Sequence, residues 1–280
     1  MDKRQVKIVA DSSADLYSYE GFPFASAPLK IVTAEREWVD DERLDVDEMV
    51  EYLLGYNGKS GSACPAPAEW LEAFEDCEEV YCVTITSNLS GSYNSAHIAA
   101  EEYMAQYPER KVHVFDSLST GPEMHLIIDE IARLCREGKS FEDVVSGVNE
   151  YMKRTGLVFL LESMQNLANN GRCSRLAAKA AGVLNIRPLG KASDVGTLEM
   201  LQKPRGEKRA VAATYSTMAE LGYKGGKVYI AHCMNPSVAE KLREAIVADF
   251  PEAELDIYRC GGLCSFYAEK GGMLVGFEKM

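Results

Sequence analysis

The densest chemistry in the chain lies in Thr84-Ile85-Thr86-Ser87-Asn88-Leu89-Ser90-Gly91-Ser92-Tyr93-Asn94-Ser95-Ala96. An apolar strand pattern breaks there into hydroxyl residues, then reopens at Gly91 as a helix of small residues. The first N–H groups of such a helix lack intrahelical partners. Beside Ser87, Ser90 and Ser92 they form a corner suited to an anion. Ordinary capping places Ser and Asn at the same position, so the segment alone leaves both readings open. A second hydroxyl-rich stretch is Ser60-Gly61-Ser62-Ala63-Cys64-Pro65, where Gly61 and Pro65 restrict the backbone and leave Ser62 free to donate. Exposed connectors share that composition. Asp11-Ser12-Ser13-Ala14-Asp15 and Asp116-Ser117-Leu118-Ser119-Thr120-Gly121 repeat one theme, a strand followed by Asp-Ser and a helix cap. Their side chains can satisfy the amides of their own loops.

Other chemistries lack their residues. Gly58-Lys59-Ser60 ends like a phosphate-binding loop, but Leu53 stands where its first glycine belongs; Gly138-Lys139-Ser140 fails likewise at Arg133. No nucleotide site is legible. Histidines 97, 113, 125 and 232 fall in four different elements, and no serine sits in a G-x-S-x-G elbow. Cys260 and Cys264 lack C-x-x-C spacing, so no metal site and no cofactor is expected.

The elements that must position these loops follow an α/β alternation. Val6–Ala10, Ser26–Thr33, Glu79–Ile85, Val112–Phe115 and Leu157–Leu161 read as strands, with helix-length amphipathic stretches between most of them. The residues from Asn57 to Pro67 read as a polar loop. After Leu161 the texture changes. The turn Asn169-Asn170-Gly171-Arg172 leads into a small-residue helix at Leu176–Val183, then two hairpin-like stretches, Ile186–Gly190 and Leu198–Lys203. A second α/β unit follows, ending in a Gly-rich loop and the strand Met273–Glu278. The expected division is 1–156 for a first α/β domain and 157–280 for a second.

At 280 residues with 43 acidic and 30 basic side chains, the net charge is −13. With no Lys/Arg cluster, nucleic acid and anionic membrane surfaces are poor partners. The start Met1-Asp2-Lys3-Arg4 lacks the apolar core of a signal peptide, and no apolar run is long enough to span a bilayer. The eight cysteines are scattered, as expected of reduced thiols in a cytoplasmic protein.

Taken in order, D-S-S-A-D-L, S-G-S-A-C-P, I-T-S-N-L-S-G-S-Y, V-F-D-S-L-S-T-G, N-N-G-R and G-G-M-L-V-G-F resemble the DegV family, from about residue 6 to residue 278. These are bacterial fatty acid-binding proteins that include the FakB subunits of fatty acid kinase. The resemblance implies two α/β domains holding one long-chain fatty acid in the cleft between them. Its carboxylate would lie near Ser62 and Ser90, with Ser87, Gly91 and Tyr267 lining the head-group end. A FakB-like subunit would have no activity alone. It would present the carboxylate to a separate ATP-dependent kinase, DhaK-like and DhaL-containing, for acyl-phosphate formation, with Arg172 as a candidate kinase-facing residue.

The chain departs from the family pattern in three places. T-S-Q-P becomes Ser62-Ala63-Cys64-Pro65, Tyr267 stands at the histidine of H-T-G-P-G, and Pro122-Glu123-Met124-His125 replaces small residues. Two alternatives stay open, a stand-alone lipid carrier or sensor and a Ser-dependent hydrolase. The hydrolase would need a base within hydrogen-bond reach of Ser87 or Ser90.

Overall fold

Strand β1 (Val6–Asp11) alternates its side chains between two apolar layers, and that alternation builds the first half of the molecule. The computed structural model describes residues 5–174 and 185–280; the helix expected at Leu176–Val183 lies outside them. With β2 (Phe24–Ala27), β6 (Glu79–Thr84) and β7 (Lys111–Asp116), β1 forms a parallel sheet of order β2-β1-β6-β7. Val9, Val80 and Cys82 face helices α2 (Pro67–Phe74) and α3 (Ser92–Gln106) through Trp70, Phe74, Ala96 and Ala99. Ile8, Ala10, Tyr81 and Val83 face α4 (Pro122–Arg136) and α5 (Phe141–Met152) through Met124, Ile127, Ile131 and Val148. Burial on both faces explains why these strands are apolar almost throughout.

The segment expected as one strand, Ser26–Thr33, is two. Pro28 has no N–H to give a ladder, so the chain breaks there and resumes as β3 (Lys30–Thr33). β3 is the centre of a small antiparallel sheet with β4 (Glu37–Val39) and β5 (Ser60–Ala63). The polar loop expected at 57–67 therefore contains a strand, with Ser62 opposite Ile31. Helix α1 (Val46–Gly55) follows β4, its first turn capped by the Asp45 carboxylate, which accepts the Glu48 amide at 3.0 Å.

The second large sheet has the order β10-β9-β8-β13-β11-β12. Its strands are β8 (Thr155–Leu160), β9 (Leu189–Ala192), β10 (Leu198–Gln202), β11 (Val228–His232), β12 (Leu255–Arg259) and β13 (Met273–Glu278). Only the β11–β12 pair is parallel. Val158, Leu160, Ile230 and Val275 face outward to helices at Glu207–Glu220 and Pro236–Asp249. Leu157, Phe159, Leu161 and Leu274 face inward. There they meet Ile31, Trp38, Met49 and Val50 from the small sheet and α1. The division expected at 156/157 falls inside β8, and residues from the first half thus complete the inner layer of the second sheet.

Helix α4 joins the two halves. A Cβ at Gly276 of β13 would lie 2.5 Å from the Glu123 nitrogen, so only glycine lets the start of α4 come this close to the sheet. Gly276→Ala is expected to push the two apart and lower the thermal midpoint by several degrees, as overpacking of a tight contact does. Calorimetry checks it.

Candidate functional site

The carboxyl ends of β1, β6 and β7 open toward the inner face of the second sheet. In open parallel sheets this edge is where ligands bind. Three loops meet there, and aspartates hold them. Asp11 accepts hydrogen bonds from the Ile85 amide at 2.9 Å, the Ser92 hydroxyl at 2.5 Å, and both the amide and hydroxyl of Ser13. Burial pushes its carboxyl up to about 6, against the pull of those donors. Asp116 accepts from the Ser87 and Leu118 amides at 3.1 Å each. The two Asp-Ser motifs thus order their own loops and tie both to the loop after β6.

A cavity lies between this edge and the second sheet, with about 690 Å³ of space between its lining atoms, the open mouth included. Leu157, Phe159, Leu161, Leu198 and Leu274 form one wall; Leu29, Ile85, Leu89 and Leu263 form the other. Its lining, almost wholly apolar with a few polar groups, matches a site for an apolar small molecule.

The polar groups are few, and four of them converge. The Ser62 hydroxyl lies 2.8 Å from the Tyr267 hydroxyl. Arg172 sits with its guanidinium carbon 5.8 Å from the centre of the Tyr267 ring. Arg172 Nε donates to the Leu89 carbonyl at 3.1 Å and Nη1 to the Asn170 carbonyl at 2.5 Å. Ser90, next to Leu89, accepts the Ser92 amide at 3.2 Å, which leaves its own proton to donate. The Ser62–Tyr267 pair carries two hydroxyl protons and uses one between them, so one more is left to donate. All four side chains are half-buried and line the cavity. Together they can hold a single carboxylate, two neutral donors being backed by one cation.

Tyr267 comes from a stretch read as a Gly-rich loop. It is a short helix (Gly262–Ala268), which also places Leu263, Cys264 and Ala268 on the cavity wall. Carboxylates remote in sequence cap it. Asp40 accepts from the Gly262 and Leu263 amides at 2.7 and 2.9 Å, and Asp15 from the Gly261 amide at 2.8 Å. The Ser12 and Tyr17 hydroxyls also donate to Asp40, at 2.8 and 2.6 Å. Asp40 is fully buried, and desolvation holds its carboxyl above the usual range despite these bonds. Neither Asp40 nor its capping role was legible as part of a site. Its only sequence signal is an acid in an Asp-Asp-Glu run that looks solvated.

Of the residues singled out in the sequence, the structure brings together Ser62, Ser90, Tyr267 and Arg172. Ser87 is exposed and, like Gly91, lies outside the cavity lining. Gly91 contributes by closeness instead: a Cβ there would lie 3.2 Å from Cys64 Sγ. Among the described residues, no histidine, aspartate or glutamate lines the cavity, so Ser90 has no general base inside it. Those residues also contain no metal-binding cluster and no helix long and apolar enough to cross a membrane.

The family profile described as "Uncharacterised protein, DegV family" matches residues 5–279. A DegV domain-containing protein of Streptococcus pneumoniae is 44% identical over 279 residues, covering 97% of this chain and 98% of that one. A DegV family protein from Eubacterium eligens, solved loaded with heptadecanoic acid, superposes with a TM-score of 0.97 at 41% identity, covering 98% and 100% of the two chains. The S. pneumoniae Fatty Acid Kinase (Fak) B3 protein, solved loaded with linoleic acid, gives 0.96 at 43% identity, covering 99% and 100%. With its α/β fold and residues 5–279 matched, this chain belongs to the DegV family.

Proposed function

We propose that the chain binds one long-chain fatty acid in this cavity and presents its carboxylate to a separate ATP-dependent fatty acid kinase subunit, DhaK-like and DhaL-containing. The observation that carries the proposal is the polarity of the cavity. Leucine and aromatic walls run up to one cluster of donors, Ser62, Ser90, Tyr267 and Arg172. Burying about 15 methylenes at roughly 0.8 kcal/mol each gives on the order of 12 kcal/mol gross, from which ordering and association costs subtract a large share. The carboxylate would accept from Ser90, from the free proton of the Ser62–Tyr267 pair, and from Arg172. This differs from an arrangement of hydroxyls and helix amides alone, because the cavity wall includes a guanidinium.

The half-burial of the donor cluster supports presentation, since a carboxylate held there stays within reach of a second protein. Transfer of a phosphoryl group to it would give an acyl phosphate. Arg172 would then have two tasks besides holding the carboxylate: it steadies the Leu89 carbonyl beside Ser90, and its charge faces the transferred phosphate. A stand-alone carrier uses the same cavity but needs no kinase.

Mass spectrometry of the lipids extracted from purified protein tests the first half; absence of any fatty acid would sink it. Ser90→Ala and Ser62→Ala are each expected to weaken binding by roughly 10- to 100-fold, the worth of a hydrogen bond to a charged group. Isothermal titration measures this, and wild-type affinity in both variants would move the head group elsewhere. Tyr267→Phe keeps the ring beneath Arg172 and removes one hydroxyl, so a smaller loss of about 1 kcal/mol is expected. Reconstitution with an ATP-dependent fatty acid kinase tests the second half, by acyl-phosphate formation that depends on this chain.

A further inference from the structure

A second cavity continues the first along the same strand. Thr155, Leu157 and Phe159 of β8, and Leu161 just past it, succeed one another on the inner face. Leu157, Phe159 and Leu161 line the cavity already described. Thr155 and Leu157 line the second, which has about 1140 Å³ of space between its lining atoms, its open mouth included. Among the described residues, only Leu157 borders both. The other walls run on in the same way. Leu198 of the first cavity stands opposite Ala192 of the second in the β9–β10 ladder. The loop after β7 gives Thr120 to the first and Leu118 to the second.

The donor cluster is at the Leu161 end. Asn166, just past Leu161, donates to the Phe266 carbonyl at 2.8 Å and so holds there the end of the helix that carries Tyr267. An acyl chain whose carboxylate sits among the donors therefore points along β8 toward Leu157. The second cavity can receive it. Leu118, Met152 and Ala192 give it apolar surface, and the exposed Asn149, Lys153 and Asp194 stand at its solvent side. Its buried carboxyl, Glu123, accepts the Thr155 hydroxyl at 2.8 Å. Desolvation raises that carboxyl toward the neutral form, which an apolar neighbour tolerates.

Length decides whether the tail arrives. From Leu161 to Leu157 a strand advances about 13 Å, and Thr155 lies about 7 Å farther on. An extended hydrocarbon chain, with C–C bonds of about 1.5 Å at tetrahedral angles, advances about 1.3 Å per carbon. Past Leu161 the first cavity thus takes about ten carbons of a straight chain. A longer tail folds back or passes Leu157. Passing displaces one leucine side chain, which has other staggered rotamers to move to. It also buries methylenes against Leu118, Met152 and Ala192, and each one buried strengthens binding about 4-fold before other costs.

We propose that Leu157 is a yielding partition, and that fatty acids of about sixteen carbons or more bind with their methyl ends in the second cavity, so that chains of about twenty carbons are also ligands. This rests on the fatty acid reading of the first cavity. The direct test uses hexadecanoic acid carrying a diazirine beside its methyl end. It is bound to the wild-type protein, irradiated and located by peptide mass spectrometry. Label in residues 149–153 or 192–194 is expected. Bound probe that labels neither segment overturns the proposal and leaves the fatty acid reading standing.

Dissociation constants for dodecanoic and eicosanoic acids, from displacement of a fluorescent fatty acid, test the same point without a probe. Ala192→Phe fills the second cavity and should weaken eicosanoic acid at least 10-fold and dodecanoic acid less than 2-fold. Leu157→Trp blocks the passage, and should raise the ratio of the eicosanoic to the dodecanoic constant at least 10-fold. Taking the ratio on one variant removes any general loss of affinity. A wild-type ratio in both variants overturns the second cavity as the place of the tail. Failure of the wild-type protein to bind any of the three acids overturns the fatty acid reading with it.

Discussion

Asp40→Ala is expected to lower the unfolding free energy by about 3–5 kcal/mol, the usual consequence of removing one member of a buried polar network. The carboxylate takes the Gly262 and Leu263 amides and the Ser12 and Tyr17 hydroxyls, all within 2.9 Å. Alanine leaves these donors buried with no acceptor. The loss should reach the ligand as well, because the capped helix carries Tyr267 and three wall residues. Asp40→Asn keeps one acceptor oxygen and should fall between wild type and alanine in both stability and affinity. Urea unfolding and fatty acid titration on the three proteins decide it. An alanine variant with the wild-type urea midpoint would show that the helix stands without its cap.

The second large effect is a pH dependence centred on Asp11. Its native carboxyl titrates at about 6, raised by desolvation from an ordinary value of 3.8. Between those values the native state holds a proton that the unfolded chain has released. Asp11 therefore favours the fold most below about 3.8, and that contribution is lost as the pH rises through 6. A shift of roughly two units corresponds to about 3 kcal/mol. His113, His125 and His232 work in the opposite direction: burial lowers each, so the unfolded chain takes up protons first as the solution is acidified. The clean measurement is thus a difference between wild type and Asp11→Asn. Wild type should gain on the variant by about 3 kcal/mol between pH 7.5 and pH 3.5. Equal urea midpoints for the pair at both pH values would mean that Asp11 titrates normally and its burial has been misread.

The sequence by itself determined the α/β alternation, because strands covered on both faces are apolar almost throughout, as Val6–Ala10 and Glu79–Ile85 are apart from Lys7, Glu79 and Thr84; that the first sheet is parallel was decided by the structure. The sequence also showed the hydroxyl loops at strand ends, since their residue types have few roles in a core. Ser62 and Ser90 were legible for that reason. Their meeting with Tyr267 and Arg172 was decided only by tertiary structure. Two hundred and five residues separate Ser62 from Tyr267, and no local pattern records a hydrogen bond across that distance.

The helix at Gly262–Ala268 makes the same point from the other side. Gly261-Gly262 reads as a loop because glycine disfavours helix, and a seven-residue helix is marginal alone. It forms because Asp15 and Asp40, both more than two hundred residues earlier, accept its first three amides. The small sheet at residues 30–63 is similar: Ser60–Ala63 is too polar and glycine-rich to announce a strand, and only pairing with β3 makes it one. Local propensity speaks for a residue and its near neighbours. The site is built from contacts between distant segments, whose free energy exists only once the two sheets have come together.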